Sequence, residues 1–193
     1  MPDSFANLTQ ESVQHLRSAL DNVGYALAIA AGKISPKHTA FPFAGSAIEF
    51  DNAVKGRSKD IPEEICTIFR AYKPHKGGND VLWALNEVAI ADKHKLLNIA
   101  IASELGNVNG TGALIRMQVN PVWDGTKQEI ELLTCATDHA VKYHMEFSLF
   151  IAFDEIAVVG GEPVLEVLRY FVKIVEEILV SLETEARLIG LVT

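Results

Sequence analysis

Apolar residues set the order of elements along this chain. Val13, Leu16, Leu20, Val23, Leu27 and Ala30 recur at steps of three and four, the stripe of a helix predicted over 9–31. Asn7 and Gln10 resemble a capping box at its start, and Gly32 is the expected stop. From 34 to 59 no period holds, and proline in Phe41-Pro42-Phe43-Ala44-Gly45 rules out a regular helix there. The aromatics of that segment are expected to pin a loop to the core. Asp60-Ile61-Pro62-Glu63 opens a shorter helix near 61–72, with Ile65, Ile68, Phe69 and Tyr72 on its apolar side and Pro74 ending it. After the corner His75-Lys76-Gly77-Gly78, Asn79 or Asp80 caps a long helix predicted over 81–105, which Gly106, Gly110 and Gly112 break.

Beyond that point the period changes to two. Residues 113–119 and 128–136 are strand candidates, joined across an Asp124-Gly125 turn signal. In 141–153, Val141, Tyr143, Met145, Phe147, Leu149, Ile151 and Phe153 alternate with Lys142, His144, Glu146 and Ser148, the pattern of a half-buried antiparallel strand. A last helix over 163–189 carries Val164, Leu168, Phe171, Val175, Ile178 and Leu182 on one stripe. The expected class is α+β: a helical core with a three-stranded antiparallel meander inserted between the third and last helices, in a single domain spanning 1–193.

Composition narrows the function classes. The chain has 193 residues, 49% hydrophobic and 22% charged, enough for one domain with a proper core. Its net charge of −8 disfavours nucleic-acid and anionic-membrane surfaces. Residues 55–95 run mildly basic, with eight basic and six acidic side chains, which reads as a mixed solvated surface. Cys66 and Cys135 form no CxxC pair and are expected to be reduced and inert. No signal peptide and no charge-free span of membrane length is visible, so a cytoplasmic location is expected. No histidine pair stands at metal-ligand spacing, and phosphate-loop and nucleophile-elbow motifs are absent; no metal or cofactor is expected.

The candidate chemistry is polar residues beside apolar stripes. Asp92 falls on the stripe Leu82, Leu85, Ala89, Leu96, where a carboxylate must be paired, hydrogen-bonded or protonated. His94 lies about 200° further round that helix, so the two cannot form a dyad. Arg17 and Asp21 border the first helix's stripe at i, i+4, and an Arg17–Asp92 contact across a helix pair is the specific expectation. Each of these residues is open to a packing role or a functional one. Gly77-Gly78-Asn79 ahead of a helix is a candidate anion-binding loop, with a plain hinge as the alternative.

Leu16-Arg17-Ser18-Ala19-Leu20-Asp21, Pro74 with Gly77-Gly78-Asn79-Asp80, Trp83-Ala84-Leu85-Asn86 and Asp92-Lys93-His94-Lys95-Leu96-Leu97 resemble a family of uncharacterised bacterial proteins. The resemblance covers most of the chain after residue 10 and implies a helical core with an inserted sheet and no particular activity. Members carry further helical sequence before the first motif and a histidine after its aspartate, where this chain has Asn22. A second copy replacing that missing neighbour would make a homodimer. A looser likeness is to HEPN-type ribonucleases, which set an arginine and a histidine on a helix with four to six residues between them. Arg17 lacks that histidine because of Asn22, and Pro74 interrupts the formal Arg70–His75 pair. The expected function is a non-enzymatic binding or protein-interaction module that self-associates through its helices. The alternative is a metal-independent ribonuclease or other hydrolase, with Arg17, Asp21, Asn22, Asp92 and His94 between the first and long helices.

Overall fold

A computed structural model describes residues 3–91, 96–110, 114–117, 124, 126–127, 129, 131, 133–135, 141–154 and 156–193. Five helices build the described body: α1 (Asp3–Ala30), α2 (Ala47–Arg57), α3 (Glu63–Tyr72), α4 (Asp80–Ile90) and α5 (Val164–Leu188). Helices α1, α4 and α5 pack on one another, and α3 packs on α5. Val13, Leu20, Leu82, Leu85, Phe171 and Ile178 fill the centre and are fully buried. The predicted stripes of α1, α3 and α5 thus face the core, as 3.6-residue periodicity requires.

The α+β expectation with a three-stranded meander is overturned. The described body is mostly helical, and among the described residues strands pair only two by two. The predicted long helix over 81–105 stops at Ile90, and Leu97–Gly110 is strand β1. It pairs antiparallel with β4 (Val141–Phe153), from Leu97 opposite Phe153 to Gly110 opposite Val141. The short strands β2 (Leu114–Met117) and β3 (Leu133–Cys135) pair with each other and do not extend the β1–β4 ribbon. Two physical causes end α4 early. Gln10 and Gln14 of α1 donate their side-chain amides to the carbonyls of Ala91 and Ala89, at 2.9 and 3.4 Å, satisfying groups that a continuing helix would have used. Beyond them, Leu97, Ile99, Ile101 and Leu105 fit a period of two as well as a helix, and β4 supplies the hydrogen-bonding partner.

Helix α1 begins at Asp3, ahead of the predicted residue 9, so Asn7 and Gln10 are interior positions and cap nothing. Helix α2 was not expected. Its signal is Ser46-Ala47-Ile48-Glu49: Ser46 Oγ accepts from the Glu49 amide at 3.3 Å, and Glu49 Oε2 accepts from the Gly45 amide at 3.0 Å. The Phe41–Phe43 segment does pin its loop to the core. Both rings are buried, and Phe41 meets the rings of Phe43 and Phe69 at 4.9 Å each. Gly24 makes room for this strap: a Cβ there would lie 2.2 Å from the Thr39 carbonyl oxygen.

The ribbon is rooted in the helical body. Leu96, Ala152 and Phe153 are fully buried, the Asp154 amide donates to the Leu96 carbonyl at 2.9 Å, and Ala152 bridges Pro163 at the entrance to α5.

Candidate functional site

Helix α1 carries three of the sequence-predicted site residues. Arg17 Nε donates to Asn86 Oδ1 of α4 at 3.0 Å, and its guanidinium lies 5.9 Å from the centre of the Phe43 ring. Asp21 Oδ1 accepts the Phe41 amide at 2.8 Å and ties the aromatic strap to α1. Asn22 is exposed. Asp92 and His94 lie outside the described residues, and the Arg17–Asp92 contact with them. Arg17 and Asp21 thus each tie a different neighbour to α1.

The Gly77-Gly78-Asn79 loop is bonded inward. The Gly77 amide donates to Asp80 Oδ1 at 2.8 Å, Gly78 to the His75 carbonyl at 2.9 Å, and Asn79 to the Lys73 carbonyl at 2.9 Å. Asn79 Oδ1 caps α4 by accepting the Leu82 amide at 3.0 Å. An anion on the Gly77 amide would have to displace Asp80, itself negative, and the other two amides are taken by carbonyls.

Among the described residues, a hollow of about 380 Å³ lies at Lys73, Gly78, Asn79 and Asp80, and two larger cavities are candidate sites. The first is a polar cleft of about 540 Å³ between α2 and α4, lined by Glu49, Asn52, Arg57, Asn86 and Glu87. Four of these five side chains hold one another or the backbone. Arg57 donates to the Phe43 carbonyl at 3.2 Å, Asn86 donates to Glu87 at 3.2 Å, and Glu49 serves the start of α2. The groups with displaced pKa values lie elsewhere. Backbone amides of Lys37 and His38 hold Asp60 below its ordinary range. The Thr126 hydroxyl and nearby amides bring Asp124 to about 2. Burial, helped by Glu63, pushes the Cys66 thiol up to about 11, so it is a protonated, inert group.

The second cavity, about 570 Å³, lies where the first turns of α1 and α5 meet the ribbon root. Leu8 of α1, Leu97 of β1, Ile151 of β4 and Leu168 of α5 are among its walls, and no charged residue lines it among the described residues. Phe5, Leu8 and Leu165 stand at its rim, 48%, 62% and 69% exposed. Inside it Thr9 is buried. A helix read as starting at residue 9 leaves Thr9 at a frayed end; only the six residues before it in α1 make it an interior position on the inward stripe. The cavity thus joins segments some 150 residues apart, and no local pattern in the sequence marks it.

Among the described residues, no group of histidine, cysteine and carboxylate side chains is placed to hold a metal ion. No helix is long and apolar enough to cross a membrane among the described residues. The chain matches no protein-family model, no curated protein and no solved structure.

Proposed function

We propose that this chain is a non-enzymatic binding module that self-associates through the apolar corner formed by the ends of α1 and α5 and the β1–β4 ribbon. The observation that carries this reading is the character of the two cavities. A hydrolytic site needs polar groups free to act on a substrate, whereas in the polar cleft Arg57 is held by the Phe43 carbonyl, Asn86 by Arg17 and Glu87, and Glu49 by the Gly45 amide. The other cavity is apolar, has no charged lining residue among the described residues and is rimmed by exposed Phe5, Leu8 and Leu165, the chemistry of an association surface.

The ribbon supports a second copy as the occupant. Its register sets Ile99 opposite Ile151, Ile101 opposite Leu149 and Leu105 opposite Met145, and Ala102 opposite Ser148 and Glu104 opposite Glu146. Apolar pairs thus fall at every second register position from Leu97–Phe153 to Leu105–Met145, save Ser103 opposite Phe147, and the alternate positions are mixed, with Ala100 opposite Phe150 and Glu104 opposite Glu146. A two-stranded ribbon is marginally stable alone. The exposed rim residues Phe5, Leu8 and Leu165 lie beside Leu97 and Ile151 at the root of this ribbon, so a second copy could meet rim and ribbon together. Two chains of net charge −8 repel, and the cavity end of this corner, where no charged residue lines the wall among the described residues, is where they meet at least electrostatic cost.

Sedimentation over micromolar concentrations tests this. A dimer that Leu165→Glu converts to monomer, with the helical signal retained, is the expected result. A monomer throughout would overturn it.

A further inference from the structure

Thr9 makes the apolar cavity more than a contact surface. Its side chain is 6% exposed and lines the cavity, and its hydroxyl has no hydrogen-bond partner among the described residues. Ser12, on the same helix and at the same cavity, donates to the Leu8 carbonyl at 2.7 Å. A helical threonine commonly satisfies itself in that way. A buried hydroxyl without a partner is costly, and a ligand that brings a hydrogen-bonding atom removes the cost. The volume of about 570 Å³ is within the range of small-molecule sites.

We infer that the cavity between α1, α5 and the ribbon root binds an uncharged amphiphile, a long-chain alcohol or ester, with its oxygen on the Thr9 hydroxyl and its chain along Leu97, Ile151 and Leu168. The described lining favours an uncharged head: a carboxylate at Thr9 would lie against the apolar side chains of Leu8, Leu97, Ile151 and Leu168 and lose its water. Threonine donates and accepts, so both an alcohol and an ester satisfy it. This assignment rests on reading the corner as a binding surface, and it concerns the cavity's interior where self-association concerns the rim and ribbon.

The test is calorimetric titration of the full chain with 1-octanol and, at pH 8, with sodium octanoate. Octanol is expected to saturate one site per chain, with octanoate at least tenfold weaker. Thr9→Val keeps the shape and removes the hydroxyl, and should weaken octanol at least fivefold. Ser12→Trp, at an exposed position on the cavity wall, should block the site with the fold intact by circular dichroism. No saturable octanol binding, octanoate binding as tightly, or affinity unchanged in either variant would overturn the assignment. Sedimentation of the same samples separates the two readings. A dimer that binds no octanol overturns only the ligand, and a monomer that binds it upholds the ligand and overturns self-association.

Discussion

Single atoms decide several features at the residue scale. Gly24 is required by a close approach, because an added methyl would meet the Thr39 carbonyl oxygen at 2.2 Å. Gly24→Ala should lower stability by about 1–3 kcal/mol in urea unfolding, the usual cost of overpacking. Asp60 is the expected cap of α3, yet Pro62 holds that position and the carboxylate accepts the Lys37 and His38 amides at 3.0 Å each. Those bonds lower its folded-state pKa below 3.8. Its contribution is therefore fully present above the unfolded pKa and lost as pH falls through the lowered folded value. Asp60→Asn should flatten that part of the acid limb in unfolding measured from pH 5 to 2. Cys66 works with the opposite sign. Its thiol rises from 9.0 to about 11 in the folded chain, so between those values the unfolded chain has lost a proton that the folded one keeps. Stability should fall as pH rises through this window, and less steeply in Cys66→Ala, as alkaline unfolding curves would show.

At the scale of elements, the legible helices are those whose stripe and stop signals are local. For α1 the stop lay in its own sequence: Gly32, at φ +86°, sits just past its end. The end of α3 was equally legible, although Lys73 takes the left-handed position ahead of Pro74. Helix α4 is different, since its end depends on α1. Gln10→Met keeps the length of the side chain and removes the donor to the Ala91 carbonyl. It should cost about 0.5–1.5 kcal/mol and speed amide exchange in the last turn of α4. Helix α2 was hidden by its weak pattern: Phe50, Ala53 and Val54 face inward while Ile48 is 78% exposed. Its capping pair Ser46 and Glu49 was the available signal.

Across the whole molecule, the apolar corner organises both the proposed self-association and the proposed ligand. Leu149→Glu puts a charge at the register position opposite Ile101, among the apolar pairs of the ribbon. It should shift a dimer to monomer in sedimentation while leaving the helical signal of the five-helix body in place.

The sequence by itself determined the apolar stripes of α1, α3 and α5, the corner at Pro74 and the anchoring aromatics Phe41 and Phe43. Each rests on interactions within a few residues, where spacing and capping chemistry suffice. Only the tertiary structure decided that 97–110 is a strand, because its hydrogen-bonding partner lies at 141–153. It also turned Arg17 towards Asn86 and Asp21 towards Phe41, and brought Thr9, Ile151 and Leu168 to one cavity. Contacts between segments so far apart depend on how the helices pack, and a residue's own neighbours in the chain carry no trace of that.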